Sequence, residues 1–94
     1  MSQTIETTTS VTVIHGAALS FESIGAASAA DAPLRLRDHQ ETLLRVIDGT
    51  VVVAIEGSER TMAVEDEARI PSATPHRIYS VDGARIVQEL RRTS

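Results

Sequence analysis

Turn-forming residues divide this sequence into short apolar runs, and that division limits what the chain can fold into. The runs are rich in Val, Ile and Thr, and glycine, proline or Asp-Gly pairs separate them at intervals of about 6–12 residues. No long segment keeps apolar residues at the 3.6-residue spacing of an amphipathic helix. The pattern therefore predicts an all-β sandwich or barrel of about eight or nine short strands.

The predicted strands cover most of the sequence after residue 10. They span residues 11–14, 19–24, 34–37, 43–47, 50–55, 60–64, 68–70, 76–81 and 84–90. Asp48-Gly49 and Asp82-Gly83 are predicted to be hairpin turns, because Asp-Gly readily adopts the positive φ angles of tight turns. Residues 26–31 are predicted to form a loop or one helical turn. Residues 1–10 are predicted to be a flexible polar tail, ahead of a single domain at residues 11–94.

Composition and charge restrict the classes of partner. The only aromatic residues are Phe21 and Tyr79, so the chain has no platform for stacking nucleic-acid bases. The net charge of −4 also disfavours nucleic acids and anionic membranes. Cysteine is absent, which excludes disulfides, thiolate metal sites and a cysteine nucleophile. Because the sequence shows no long apolar run and no secretory signal, we expect a cytoplasmic protein.

Two prolines and a histidine mark the segment with the clearest functional signal. Proline has no N–H for a strand ladder, so Pro71 should end one strand and Pro75 should lead the chain into the next. His76 then lies where apolar alternation resumes, at the mouth of whatever the strands enclose. The alternation of a strand predicts one face with His76, Ile78 and Ser80, and an opposite face with Arg77 and Tyr79.

This segment resembles the second conserved motif of the cupin family, G-x5-P-x-G-x2-H-x3-N. Pro71 and His76 fall on the proline and the histidine of that motif with the correct spacing. Its two glycine positions hold Glu65 and Ala73, and its asparagine position holds Ser80.

The first cupin motif, G-x5-H-x-H-x3-4-E-x6-G, is present in a weaker form. Asp48-Gly49 resembles its closing turn, and the 15 residues between Gly49 and Glu65 match the shortest spacing usual in the family. The resemblance covers about residues 34–90. It implies a short antiparallel jelly-roll β-barrel (a double-stranded β-helix), and it also implies a homodimer. A second copy would suit a small chain with a marginal core.

The resemblance also indicates where metal ligands would lie. The glutamate position of the first motif holds Thr42, and its two histidine positions fall on Leu36 and Asp38, or on Arg35 and Arg37 if the longer spacing applies. Strand alternation favours the first assignment, which gives one face of alternate residues: Leu36, Asp38, Gln40, Thr42, Leu44 and Val46. Of the four usual ligands only His76 is in place. We therefore predict no tightly held metal and no cofactor.

Three other interpretations stay open. A β-bulge would turn His39 and Glu41 inward, and with His76 they would form a two-histidine, one-carboxylate site for Fe, Mn, Ni or Zn. The protein would then be a metal-dependent cupin enzyme of the oxygenase or isomerase type. His76 and Asp38 are the candidate catalytic residues of a metal-free acid–base enzyme. A structural or partner-binding cupin with a filled barrel is the third interpretation.

The favoured interpretation is a small cupin-barrel protein that binds a small molecule inside the barrel. The predicted ligand-binding residues are His76, Asp38, Gln40, Thr42 and Tyr79. For His76 the alternative is a structural histidine that fastens the turn at residues 71–75. The sequence does not decide whether a reaction is catalysed, because one fold supports many functions.

Overall fold

The computed structural model describes residues 9–14 and 17–92, and within these ranges the protein is almost entirely β-structure. The eight strands there are β1 Thr9–Ile14, β2 Ala17–Ile24, β3 Gln40–Gly49, β4 Val51–Ile55, β5 Ser58–Met62, β6 Glu67–Ile70, β7 Arg77–Tyr79 and β8 Ala84–Arg92. One short 3₁₀ helix spans Ala29–Asp31. The all-β prediction is confirmed. Residues 1–8 of the predicted tail lie outside the described ranges, which contain no helix able to cross a membrane.

The strands form two antiparallel sheets around one apolar core. The larger sheet has the order β1-β2-β8-β3-β6, and the smaller has the order β5-β4-β7. Alternate residues of β8 are buried, as expected for a sheet with one face on a core. Both sheets supply the core, whose buried members are Ile24, Leu44, Val46, Val51, Val53, Met62, Ile70, Ile78, Ala84 and Ile86.

The two Asp-Gly turns connect the sheets and do not form hairpins. Strand β3 pairs with β6 and β8, whereas β4 pairs with β5 and β7, so the chain changes sheets at Gly49. Its last change of sheet is between β7 and β8, at Asp82-Gly83. Gly49 and Gly83 do have positive φ angles, 82° and 95°. The hairpin predictions were wrong because a glycine with positive φ suits a corner between sheets as well as a tight turn, and Asp48 and Asp82 do not have the positive φ of a type I′ hairpin.

A genuine two-residue hairpin joins β4 to β5. Ile55 pairs with Ser58, and the intervening Glu56 and Gly57 have φ angles of 46° and 81°. Positive φ at both central residues is the requirement of a type I′ turn, whose twist matches that of the flanking strands.

Residues 33–38, called the strap below, cross from the 3₁₀ helix toward β3 without forming the predicted strand. Within the strap only Arg35 forms a β-bridge, an isolated antiparallel one with His76. Leu34 and Leu36 are 59% and 55% exposed, whereas Arg35 and Arg37 are half-buried. The residues of the strap therefore do alternate between its two sides. The arginines, and not the leucines, occupy the inner side.

The predicted connection between β6 and β7 is confirmed. Strand β6 ends at Ile70, β7 begins at Arg77, and the two prolines lie in the turn between them. The predicted faces are confirmed as well. The buried face carries His76, Ile78 and Ser80, and the half-buried one carries Arg77 and Tyr79.

Candidate functional site

Six polar side chains are buried among the described residues. They are Ser20, Glu22, Thr42, His76, Ser80 and Gln88. The strand register places Ser20 opposite Gln88, and Thr42 opposite Leu90, on the inner face of the larger sheet. Burying polar groups is unfavourable unless they find hydrogen-bond partners, so the partners of these residues define the site.

A bidentate ion pair joins the strap to the larger sheet. The Nη1 and Nη2 atoms of Arg35 donate hydrogen bonds to the two carboxylate oxygens of Glu22, at 2.8 and 2.5 Å. Gln88 Nε2 donates to the same carboxylate at 3.1 Å. The Glu22 side chain is only 7% exposed and that of Arg35 18%. Paired arginine and carboxylate groups of this geometry form strong, well-oriented hydrogen bonds.

His76 lies directly beside this ion pair. Arg35 and His76 exchange two backbone hydrogen bonds, with N–O distances of 2.7 and 2.9 Å. The His76 Nδ1 atom is 2.9 Å from the carbonyl oxygen of Thr74. A carbonyl oxygen only accepts, so Nδ1 carries the proton, and Nε2 of the neutral ring is an acceptor. His76 therefore fastens the turn with one nitrogen and leaves the other for a second partner.

The surroundings of His76 favour the neutral ring. Burial lowers the pKa of His76, and the nearby positive charges of Arg35 and Arg37 lower it further. The hydrogen bond to Thr74 opposes this shift without reversing it. A neutral imidazole with a bare Nε2 can accept a hydrogen bond or a proton.

Four buried side-chain atoms of this region have no hydrogen-bond partner among the described residues. They are Arg35 Nε, Arg37 Nε, His76 Nε2 and Gln88 Oε1. Two of these atoms are donors, and two are acceptors. The five residues Glu22, Arg35, Arg37, His76 and Gln88 are called the inner polar cluster below.

The predicted ligand-binding residues do not all lie in the interior. His76 and Thr42 are buried there, and Gln40 is half-buried at the start of β3. Asp38 is exposed in a turn, so it does not face His76 as expected. Tyr79 lies on the opposite face of its strand, where its hydroxyl donates to Glu59 at 3.1 Å. The roles of these residues in ligand binding stay predictions.

The alternation of inward and outward residues along the first motif is interrupted at His39. This residue has a φ angle of 63° and is exposed, in the turn that precedes β3. A left-handed residue at that point breaks the strand alternation, so Leu36 and Asp38 do not share the face of Thr42 and Leu44.

The residues of the alternative metal site are not brought together. His39 is exposed, and Glu41 forms an ion pair with Arg69 at 2.6 Å. The described part of the chain contains no group of three or more His, Cys, Asp or Glu side chains able to hold a metal ion. The inner polar cluster itself offers one imidazole and one carboxylate that is already paired with an arginine, which does not fit a tight metal site.

Sequence reasoning missed Glu22 and Gln88. Each occupies an inward position of its strand, Glu22 two residues before Ile24 and Gln88 midway between Ile86 and Leu90. The available signal was a polar residue in the apolar phase of a strand, which indicates a partner across the interior.

Two residues at the glycine positions of the second motif keep a glycine-like backbone. Glu65 and Ala73 have φ angles of 78° and 56°. The Ala73 N–H donates to the carbonyl of Arg37 at 2.8 Å and ties this turn to the strap. The local conformation thus matches the motif even where its glycines are replaced.

Ala73→Gly should therefore stabilise the protein. Relief of the left-handed conformation is worth about 1–2 kcal/mol, and the added freedom of the unfolded chain offsets about 0.4–1 kcal/mol. We expect a net gain of about 0.5–1 kcal/mol in urea unfolding. The matched control is Ala63→Gly, at an exposed residue without positive φ, which should lose stability. Destabilisation by both substitutions would contradict the assigned strain.

Comparison with known proteins identifies the fold. No protein-family model and no curated protein matches the sequence. A crystal structure from Neisseria meningitidis shares 16% identity over 89% of this chain and 82% of that one, with a TM-score of 0.78. A cupin-2 domain protein from Shewanella frigidimarina shares 13% over 90% and 80%, with a TM-score of 0.77. The Cnp3 cupin domain of Schizosaccharomyces pombe shares 11% over 92% and 59%, with a TM-score of 0.75.

The protein therefore has the cupin fold. The jelly-roll barrel expected from the sequence is confirmed, and the chain is a small protein of this fold. The low sequence identities show the fold alone, so the function has to be argued from the interior.

The lowered pKa of His76 predicts a particular dependence of stability on pH. As pH falls below about 6.5, the unfolded chain binds a proton at this histidine before the folded protein does. The contribution of neutral His76 to the free energy of unfolding is thus fully present above that pH, and it is lost as the pH falls toward the folded-state pKa. Comparison with His76→Asn, which cannot titrate, isolates the effect in urea unfolding between pH 8 and 5. A stability difference that is constant over this range would contradict the prediction.

Proposed function

We propose that this cupin-fold protein binds a small polar molecule inside its barrel and does so without a tightly held metal. The supporting observation is the set of four buried, unpartnered polar atoms in the inner polar cluster. An unsatisfied buried polar group costs about 1–3 kcal/mol. A molecule that offers both donors and acceptors would recover that energy on binding.

The arrangement of the cluster suits recognition. The Glu22–Arg35 pair and its bond from Gln88 hold three side chains in fixed positions. The turn hydrogen bond likewise fixes the imidazole of His76. Side chains that are already oriented lose little entropy when a ligand binds, which favours affinity for a small molecule. A filled structural barrel would instead be expected to satisfy its polar atoms internally.

His76→Asn provides the direct test. The shorter amide can still donate to the Thr74 carbonyl, but it lacks an atom at the position of Nε2. We expect its unfolding free energy to stay within about 1 kcal/mol of wild type, because the turn bond is kept. We also expect loss of the binding that the wild-type protein shows for small hydroxylated probes, with glycerol, glycerate and glucose as the first panel. Binding would be followed through the ring ¹⁵N shifts of His76 and through backbone amide shifts.

Two results would contradict the proposed function. The first is a loss of several kcal/mol in His76→Asn with probe binding intact, which would make this histidine structural. The second is a wild-type protein whose interior signals respond to no probe, which would favour the filled barrel.

Metal content is measured on the same preparations, expressed without a His-tag. We expect substoichiometric Fe, Mn, Ni and Zn, and only a small rise in melting temperature when these ions are added. A stoichiometric metal that disappears in His76→Ala would overturn the metal-free proposal and support the metal-dependent enzyme.

We also propose that the protein forms a homodimer through the outer face of the larger sheet. A groove of about 300 Å³ on this face is lined mainly by apolar side chains, with Phe21 41% exposed. Its apolar lining includes Leu19, Leu43 and Val87. Burying this face would add to the small core of a 94-residue chain. Sedimentation over a hundredfold concentration range tests this proposal.

A further inference from the structure

The charges of the inner polar cluster are not balanced. Arg35 is neutralised by its bidentate pair with Glu22. Arg37 forms no ion pair with any acidic side chain in residues 18–92, where the paired arginines are Arg35, Arg45, Arg69 and Arg91. With His76 neutral, the cluster carries one uncompensated positive charge.

Arg37 is held close to the histidine. Its carbonyl accepts a hydrogen bond from Ala73, and its half-buried side chain lies on the same side of the strap as that of Arg35. Its Nε atom is buried without a partner. The positive charge of Arg37 also contributes to the lowered pKa of His76. An arginine fork with an open Nε is suited to a planar carboxylate.

The unpartnered acceptors define the other half of the ligand. His76 Nε2 and Gln88 Oε1 both need donors, and a cationic donor would be repelled by the uncompensated Arg37. A hydroxyl group is a neutral donor and meets this requirement. A phosphate ester carries about two negative charges near neutral pH, more than one free arginine balances.

We propose that the barrel takes a small hydroxy acid, whose carboxylate pairs with the Arg37 guanidinium and whose hydroxyl donates to His76 Nε2. This inference rests on the proposed function, and it specifies the class of ligand for the same site. A neutral polyol can accept a hydrogen bond from the Arg37 guanidinium but cannot form the charge-assisted pair of a carboxylate, so it should bind more weakly than the corresponding acid.

Glycerate and glycerol form a matched pair of probes, because they differ at one carbon by a carboxylate in place of a hydroxymethyl group. We expect glycerate to bind at least about 10-fold more tightly than glycerol in NMR titrations at low salt, which corresponds to about 1.4 kcal/mol. Arg37→Gln should remove this preference, because it should weaken glycerate binding much more than glycerol binding. Arg37→Lys should keep part of it, since the charge stays but the fork is lost.

Arg85→Gln is the control for net charge, because Arg85 is an exposed arginine on the outer side of β8 and forms no ion pair within residues 18–92. It should bind glycerate like the wild type. The hydroxy-acid proposal is overturned if glycerate binds no better than glycerol, if Arg37→Gln keeps the preference, or if inorganic phosphate displaces glycerate at equal concentration. His76-dependent glycerol binding in those cases would leave the proposed function standing. A wild-type protein that binds neither glycerate nor glycerol would overturn both proposals.

Discussion

Arg35→Ala is expected to lower the free energy of unfolding by about 3–5 kcal/mol, because it leaves a buried carboxylate without its charge partner. Glu22 is 7% exposed, and both of its oxygens accept hydrogen bonds from the Arg35 guanidinium. After the substitution only the bond from Gln88 to that carboxylate would remain. Urea unfolding at pH 7, followed by far-UV circular dichroism, measures the loss.

Two further variants test whether burial of the pair causes this effect. Arg45→Ala removes an ion pair with Glu67 whose side chains are 59% and 54% exposed, so its stability should change little. The double variant Glu22→Gln with Arg35→Met removes both charges and should recover much of the loss. Equal effects of Arg35→Ala and Arg45→Ala would show that the interior pair is not decisive for stability.

The strand content of this protein could be predicted because strand alternation and turn residues are local signals. The turn at residues 71–76 and the two faces around His76 followed from the chemistry of proline and from a period of two. Strand pairing was not predictable at the Asp-Gly sites. A positive φ at Gly49 suits either a hairpin or a corner between sheets, and the choice depends on packing between residues distant in sequence.

The candidate site was predictable only in part, for the same reason. His76 was found because a motif and two prolines surround it. Asp38 was misplaced because one left-handed residue, His39, interrupts the strand alternation, so the residues before β3 do not continue the faces of that strand. The Glu22–Arg35 pair joins residues that are 13 positions apart through the strap, and no local pattern shows where the strap lies.

The strap explains how the fold gathers these residues. Its bridge from Arg35 to His76 and its bond from Ala73 to the Arg37 carbonyl attach it to the motif turn. The ion pair with Glu22 attaches it to the larger sheet as well. Arg35 and Arg37 therefore lie half-buried on the inner side of the strap, whereas Leu34 and Leu36 are exposed.

Gly49→Ala should be the most damaging change outside the interior, with an expected loss of about 2–5 kcal/mol. A Cβ atom at this residue would lie 2.5 Å from the carbonyl oxygen of Gly83 and 3.0 Å from the Cα of Ala84. Both contacts are with backbone, so the sheet-changing corners would have to separate, at a cost of about 1–3 kcal/mol. The φ angle of 82° adds the left-handed penalty of about 1–2 kcal/mol.

Gly57→Ala is the matched control, because Gly57 has nearly the same φ angle, 81°, and no atom within 4 Å of the added Cβ. It should lose only the left-handed penalty of about 1–2 kcal/mol. Both variants change the unfolded chain in the same way, so the difference between their unfolding free energies measures the contact of Gly49 with the β7–β8 corner. If the two losses are equal, the two corners are not in close contact in solution. If Gly49→Ala loses clearly more, the close packing of the two Asp-Gly corners is what fixes the point where the chain passes between the sheets.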